Sequence, residues 1–270
     1  MKRIQLLSKV SRVVIKLGTR VLTTRENRLD TSKIEELVEE FVWLRKKGIQ
    51  LTIVTSGAIT AGMKSLGLKI RPKNLAKLQA AACVGQSQLM RIYERLFKER
   101  GFIVGQILLT KDILAKKERY LNVRNTLSSL LSLNVIPIIN ENDSVAVDEI
   151  KFGDNDTLSA LVTNLVEANL LIILSDVDGL YADYYRTDKS GRCYQRGKLL
   201  SCVENISEDI EKFAKRTNSP QSMGGMITKI QAAKTVLKKG KMALIANGER
   251  PKIIREIFAG KKVGTIFLPK

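Results

Sequence analysis

Short apolar runs rich in β-branched residues alternate along this chain with longer stretches in which apolar residues recur every three or four positions. The short runs are typical of buried strands, and the longer stretches are typical of amphipathic helices. Strands are predicted at 13–15, 51–54, 102–109, 135–139, 170–174, 242–246 and 265–268, and helices at 32–47, 73–100, 120–133, 156–167, 226–239 and 253–259. This alternation predicts an α/β fold with a mainly parallel sheet that is covered by helices on both faces.

Two local patterns refine this prediction. Ser32 and Glu35 have the spacing of a capping box at the start of the first long helix. The polar region 181–221 is the least regular, and we expect it to form a hairpin or a lid over one end of the sheet. Because there is no internal repeat or low-complexity linker, we expect one compact domain over residues 1–270.

Composition excludes several classes of protein. The 270 residues contain no histidine, which excludes a Ser-His-Asp triad, a Cys-His pair and a His-bearing zinc site. No apolar run approaches the roughly 18 residues of a membrane span, and the first residues do not form a signal peptide. The odd number of cysteines, Cys83, Cys193 and Cys202, without a Cys-x-x-Cys pair, favours reduced thiols in a cytoplasmic protein.

The chain is strongly basic, with 46 Lys and Arg against 27 Asp and Glu and a net charge of +19. Three interpretations stay open: a basic bias of the whole proteome, attraction of a polyanionic nucleotide, and binding of nucleic acid. The basic residues are not interleaved with aromatic side chains, which make up only 5% of the chain, so stacking on bases is not indicated.

Glycine-containing turns lie at or near the ends of predicted elements, and lysines accompany two of them. They are Lys16 to Thr19 after the first strand, Ser56 to Gly62 after the second strand, and Gly224 to Lys229 before a late helix. Backbone N–H groups and helix N-termini at the carboxyl ends of parallel strands favour anions. Any one of these turns is more often only a tight turn, but the three together indicate phosphate binding. The P-loop, G-x-G-x-x-G and His-Arg-Asp motifs are all absent.

The segment 139–157 opposes the basic trend, since it holds six acids and three amides against Lys151 alone. One interpretation is a solvated acidic turn followed by an N-cap cluster. The other is a binding site for a small ligand that carries an ammonium group, or an arrangement that orders nearby lysines. Asp176 and Asp178 place further carboxylates directly after the predicted strand at 170–174, without the spacing of an EF-hand.

Taken in order, these motifs resemble those of the amino acid kinase superfamily over nearly the whole chain. The motifs are Val14-Ile15-Lys16-Leu17-Gly18-Thr19, Thr55-Ser56-Gly57-Ala58-Ile59, Ile139-Asn140-Glu141-Asn142-Asp143, Phe152-Gly153-Asp154-Asn155-Asp156-Thr157, Leu174-Ser175-Asp176-Val177-Asp178-Gly179-Leu180-Tyr181 and Gly224-Gly225-Met226-Ile227-Thr228-Lys229. The motifs around Asn142 and Asn155 are similar to those of the members that phosphorylate glutamate.

The resemblance implies a three-layer α/β/α sandwich whose N-terminal half binds the acceptor and whose C-terminal half binds ATP. It implies transfer of the ATP γ-phosphoryl group to the γ-carboxylate of L-glutamate, with Mg²⁺ required. Lys16 and Lys229 would neutralise the transferring group, and Asp156 would orient both lysines. Gly18 and Gly57 would contact that group through their N–H groups. The residues implied to bind glutamate are Ser56, Asp143 and Asn155, and those implied to face ATP are Lys16, Ser175, Asp176, Met223, Gly224, Gly225, Met226, Ile227, Thr228 and Lys229.

The resemblance also implies a homo-oligomer, a dimer or tetramer, and transfer of the product to glutamyl phosphate reductase. Many relatives continue into a PUA domain, which we do not expect here, and we expect neither membrane nor nucleic acid as a partner. Ser222-Met223 and Tyr184-Tyr185 depart from the usual pattern near the nucleotide. Alternative functions are phosphorylation of N-acetylglutamate, aspartate or a nucleoside monophosphate, or a basic nucleic-acid-binding protein that retains a kinase-like fold.

Overall fold

The computed structural model describes residues 3–110, 116–145, 155–182, 184–186, 194–216 and 225–269. Its strands are β1 Arg12–Leu17, β2 Gln50–Val54, β3 Val104–Leu109, β4 Ile136–Glu141, β5 Leu170–Ser175, β6 Tyr184–Arg186, β7 Tyr194–Arg196, β8 Cys202–Val203, β9 Met242–Asn247 and β10 Thr265–Phe267. Eight of them form one sheet in the order β3-β4-β2-β1-β5-β9-β10-β8. Every pairing in this sheet is parallel except that of β9 with β10, which confirms the mainly parallel sheet.

The helices are α1 Arg3–Leu7, α2 Thr31–Lys46, α3 Ala58–Ser65, α4 Leu75–Lys98, α5 Lys117–Ser132, α6 Asn155–Leu165, α7 Glu208–Arg216, α8 Met226–Leu237 and α9 Ile253–Phe258, with a short 3₁₀ helix at Thr19–Leu22. Among the residues described, no helix is both long enough and apolar enough to cross a membrane.

Alternation along the strands explains the three layers. In β1, Val13, Ile15 and Leu17 pack with α2, α4 and α9 on one face of the sheet, whereas Val14 packs with α5, α6 and α8 on the other. Because side chains two positions apart share a face, Lys16 points to the same side as Val14. The polar end of β1 therefore lies on the side of α6 and α8.

Two sequence-based expectations about local structure are wrong. The cap of α2 is Asp30, whose carboxylate accepts the N–H of Lys33 at 3.0 Å, so Ser32 and Glu35 lie inside the helix and form no capping box. The segment 58–62, expected to be part of a phosphate-binding turn, is the beginning of α3. Asp30 competes successfully for the cap because it stands just before the first helical residue.

The region 181–221 contains the antiparallel pair β6–β7, as a hairpin requires. This pair is separate from the eight-stranded sheet.

Candidate functional site

The polar side chains singled out in the sequence meet at the carboxyl ends of four adjacent strands, β4, β2, β1 and β5. The chain passes from β1 to β2 on one side and later returns to place β5 on the other side of β1. Such a switch point opens a crevice beyond the strand ends, which is the usual ligand site of an open parallel sheet.

Asp156 lies at the centre of this crevice and binds two lysines. Its Oδ1 is 2.7 Å from Nζ of Lys16, and its Oδ2 is 3.0 Å from Nζ of Lys229. Thr228 donates its hydroxyl to the same Oδ2 at 2.7 Å. Only 4% of each lysine and none of Asp156 is exposed. The predicted association of these three residues is thus present, although they come from β1, α6 and α8.

The electrostatics of this cluster favour an anionic ligand. Burial by itself raises the pKa of the Asp156 carboxyl, but the ion pairs with Lys16 and Lys229 outweigh burial and hold that pKa well below its usual range. Asp156 is therefore ionised at neutral pH, and two lysines with one carboxylate carry a net charge of +1. A phosphoryl group brought to the lysines would be stabilised by that excess charge.

Two helix N-termini add backbone donors to the crevice. Gly57 precedes α3 with a φ of 96°, a conformation that favours glycine, and Gly225 precedes α8. As N-cap residues, these two glycines give the first N–H groups of their helices no side-chain cap. These N–H groups and the positive ends of the helix dipoles suit a carboxylate or a phosphate.

The N–H of Gly18, which was expected to contact the transferring group, is already bonded within the protein. It donates to the carbonyl of Leu174 at 3.0 Å, so the structure does not offer this N–H to a ligand. A Cβ on Gly18 would lie 3.3 Å from the same carbonyl oxygen and 4.0 Å from Nζ of Lys16. The glycine therefore allows β1 and β5 to approach closely beside Lys16.

A chain of buried amides fixes Asn155 at the start of α6. Nδ2 of Asn155 lies within hydrogen-bond distance of three acceptors: the carbonyl of Thr55 at 2.8 Å, Oγ of Ser56 at 3.1 Å and Oδ1 of Asn140 at 3.0 Å. Asn140 in turn donates to Oε1 of Gln86 at 2.9 Å. Because the Thr55 carbonyl can only accept, the orientation of the Asn155 amide is set. Its Oδ1 is buried and has no hydrogen-bond partner within the described ranges.

Asp143 offers a second acceptor. It is 8% exposed, and its Oδ1 lacks a hydrogen-bond partner among the residues described. Burial raises the pKa of this carboxyl to about 6, and the nearby charge of Arg71 opposes the rise. Asp143 and Asn155 line one small pocket together with Ser56, Gly57 and Arg71. Buried acceptors without donors in such a pocket suit a ligand with several N–H donors, such as an ammonium group.

On the predicted nucleotide side, Ser175 and Asp176 lie at the end of β5. The hydroxyl of Ser175 donates to Asp176 at 3.0 Å, and Arg20 forms an ion pair with Asp176. Burial by itself raises the pKa of Asp176, but the hydrogen bonds from Arg20 and Ser175 and the charge of Arg20 together more than offset burial, so the pKa is lowered. Asp176 is therefore a carboxylate already bound to a cation.

The late motif is only partly described. Met226 is buried in the apolar core, and Ile227 packs against that core, so contacts of these two residues with a nucleotide would come from the backbone. Met223 and Gly224 lie outside the described residues.

Sequence reasoning missed three side chains that reach the site from other parts of the fold. Gln86 supports Asn140 from α4, Arg20 pairs with Asp176 from the 3₁₀ helix, and Arg71 lines the pocket from the segment between α3 and α4. No motif marks these residues. A lone arginine or glutamine gives no signal until the fold brings it to a pocket.

No protein metal site is apparent in the described ranges, where no three carboxylate or cysteine side chains come close enough to hold an ion. Both oxygens of Asp156 are bound by lysines. The donor set at the centre of the crevice is thus cationic and fits phosphate oxygens.

Comparisons with known proteins agree with this geometry. A model of the amino acid kinase family matches residues 11–247. The chain is 50% identical over 267 residues to the glutamate 5-kinase of Geobacter metallireducens, covering 99% of this chain and 70% of that relative. It is 47% identical over 264 residues to the glutamate 5-kinase of Clostridium acetobutylicum, covering 98% of this chain and 97% of that relative. Carbamate kinase from Giardia lamblia bound to AMP-PNP has a similar fold, with a TM-score of 0.63 at 16% identity over 97% of this chain and 100% of that chain.

Proposed function

Because this chain belongs to the amino acid kinase family, we propose that it transfers the γ-phosphoryl group of ATP to the γ-carboxylate of L-glutamate, the first step of proline synthesis from glutamate. The observation that carries this proposal is the buried Asp156 between Lys16 and Lys229, beside a pocket lined by Asp143 and Asn155. The two lysines suit the transferring group, and the pocket suits the amino acid.

The acceptor requires no general base. A γ-carboxylate is ionised at neutral pH, so one of its oxygens can bond to the γ-phosphorus while the bond from that phosphorus to the ADP oxygen breaks. The absence of histidine therefore costs the reaction nothing. Catalysis of such a transfer rests on alignment and on stabilisation of charge.

In this proposal Lys16 and Lys229 stabilise the phosphoryl oxygens as charge shifts toward ADP. Asp156 holds both ammonium groups in place before the substrates arrive, so little reorganisation is needed during the reaction. Gly57 and the first N–H groups of α3 receive the γ-carboxylate from the pocket side. Ser175, Asp176 and the N-terminus of α8 face the nucleotide.

The pocket supports glutamate over N-acetylglutamate. The free α-ammonium of glutamate offers three donors to the unpartnered oxygens of Asp143 and Asn155. An acetylated nitrogen is neutral and has one N–H, so it would offer Asp143 and Asn155 a single donor and no positive charge.

ATP is used together with Mg²⁺, which neutralises part of the phosphate charge. The cationic residues around Asp156 fit the phosphates of the nucleotide rather than a bare metal ion, so we assign the ion to the ATP phosphates and water.

We also propose that the protein works as a homo-oligomer, a dimer or a tetramer, and passes its product to glutamyl phosphate reductase. The support for the second point is chemical, because an acyl phosphate is prone to hydrolysis in free solution. Sedimentation of the purified chain would measure the first point.

The reaction is tested by an ATP-dependent assay in which hydroxylamine traps the acyl phosphate formed from L-glutamate, N-acetyl-L-glutamate or L-aspartate. We expect robust turnover with L-glutamate alone. Lys229→Ala should lower kcat by about 10²- to 10³-fold, because one preorganised cation is removed from the transferring group. Lys238→Ala, an exposed lysine just beyond the other end of α8, is the matched control and should remain near wild type. Turnover of N-acetylglutamate but not of glutamate would overturn the proposal.

A further inference from the structure

One cation in the acceptor pocket has no role in the mechanism above. Arg71 lies in the segment that joins α3 to α4 and lines the same small pocket as Ser56, Asp143 and Asn155. Its side chain is half-buried, unlike the exposed Lys69 and Lys73 of the same segment. The charge of Arg71 also acts on the buried carboxyl of Asp143. The pocket is thus lined by both an anionic and a cationic side chain.

This pairing matches the head group of an α-amino acid. Glutamate carries its ammonium and its α-carboxylate on the same carbon, so a site that recognises both needs a negative and a positive partner close together. The unpartnered oxygens of Asp143 and Asn155 account for the ammonium, and Gly57 with the first N–H groups of α3 accounts for the γ-carboxylate. The α-carboxylate then needs a hydrogen-bond donor from another residue that lines the pocket.

We propose that Arg71 binds the α-carboxylate of the acceptor and is the residue that selects an α-amino acid over an amine lacking that carboxylate. This inference rests on the proposed function. The guanidinium has donors in a planar fork that matches the two oxygens of a carboxylate, whereas an ammonium offers only a point charge. The segment 66–74, through Arg71, would thereby set substrate specificity.

The test compares two acceptors, L-glutamate and 4-aminobutyrate. The second keeps the ammonium and the reacting carboxylate but lacks the α-carboxylate. For wild type we expect kcat/KM to be at least about 30-fold higher for glutamate, as expected for a charge-assisted hydrogen-bonded pair. Arg71→Ala should lose about 30-fold on glutamate, mainly in KM, and less than about 3-fold on 4-aminobutyrate. Arg71→Lys should fall between, because it keeps the charge and loses the fork.

The readout is the ratio of kcat/KM for the two acceptors, which does not depend on the fraction of folded enzyme and so tolerates a partly unstable variant. If turnover of 4-aminobutyrate is slow, its inhibition constant against glutamate replaces kcat/KM. Lys73→Ala, an exposed cation two residues away, should leave the ratio unchanged. Equal losses of Arg71→Ala on both acceptors, with an active wild type, would overturn the inference alone. A wild-type enzyme without ATP-dependent glutamate turnover would instead overturn the proposed function.

Discussion

Asp156 is a fully buried carboxylate whose two oxygens each bind a lysine. Burying an ion pair costs desolvation that the pairing only roughly repays, so this cluster is a weak source of stability. The cluster contributes geometry instead. Lys16 and Lys229 come from elements far apart in the chain, and the carboxylate of Asp156 holds both ammonium groups. Thr228 donates a hydrogen bond to the same carboxylate. A site with this arrangement is charged and aligned before phosphate arrives.

The buried carboxyl of Asp143 should make the KM for glutamate depend on pH. Burial raises the pKa of Asp143 to about 6, so the free protein loses this negative charge as pH falls through that value. Only the ionised form pairs with an ammonium. We therefore expect KM for glutamate to rise as pH falls below about 6, approaching tenfold per pH unit, while kcat changes less. Initial rates between about pH 5 and pH 8 measure this.

The control for this prediction is Asp143→Asn, which keeps the shape and removes the charge. Its KM for glutamate should be high at neutral pH and nearly flat across the range. The γ-carboxylate of glutamate titrates near 4.3 and does not account for a change around pH 6. A wild-type KM that stays constant down to about pH 5 would contradict the pairing of Asp143 with the ammonium.

Sequence alone predicted which residue types gather at this site, but not the atoms left for a ligand. The motifs around Asn142 and Asn155 identified Asp143, Asn155 and Asp156. The unpartnered Oδ1 of Asn155 depends on three acceptors around its Nδ2, two of which belong to Thr55 and Ser56, just after β2 and about a hundred residues away. Long-range hydrogen bonds of this kind leave no local pattern.

At the scale of elements, every strand of the eight-stranded sheet except the short β8 was predicted, because most of these strands are continuous apolar runs with a clear contrast to their surroundings. Helix α3 was missed for a physical reason. Its sequence after Gly57 is short and contains Gly62, which favours a turn when helix propensity is the guide. Tertiary contact decides instead: a Cβ at Gly62 would lie 1.7 Å from the carbonyl oxygen of Ala81 in α4.

The close approach of α3 and α4 gives a stability prediction. Gly62→Ala should lower the free energy of unfolding by about 3 kcal/mol, because the added Cβ meets backbone of α4 that cannot move without separating the helices. The sign is diagnostic, since the same change at an exposed helical glycine stabilises by about 1 kcal/mol. Urea denaturation followed by circular dichroism measures the difference.

The control for this substitution is Lys64→Ala, an exposed change in the same helix, which should lie within about 0.5 kcal/mol of wild type. Because α3 begins at the acceptor pocket, Gly62→Ala should also raise KM for glutamate. A Gly62→Ala protein as stable as wild type would mean that the two helices tolerate a wider separation.

At the scale of the whole molecule, the site gathers both signs of charge within a chain whose net charge is +19. The acidic segment that opposed the basic trend supplies Asp143 and Asp156 to the crevice, while the lysines come from β1 and α8. The sequence identified both groups but could not show that β1, between β2 and β5, brings them to one edge. That arrangement depends on strand order, which is a property of the complete sheet.

The basic excess itself can be tested through the two substrates. ATP carries several negative charges and glutamate a net charge of about −1, so a positive molecule attracts ATP far more strongly. If the charge draws nucleotide to the site, raising ionic strength from about 0.02 M to 0.2 M should raise KM for ATP several-fold and KM for glutamate much less, because the screening length falls from about 20 Å to below 10 Å. A parallel series with a neutral solute controls for effects unrelated to screening.

Equal changes in both KM values, or no change in KM for ATP, would show that the basic excess does not serve nucleotide binding and would favour a compositional bias. Steeply salt-dependent RNA binding in the same buffers would favour nucleic acid as the partner of the basic surface.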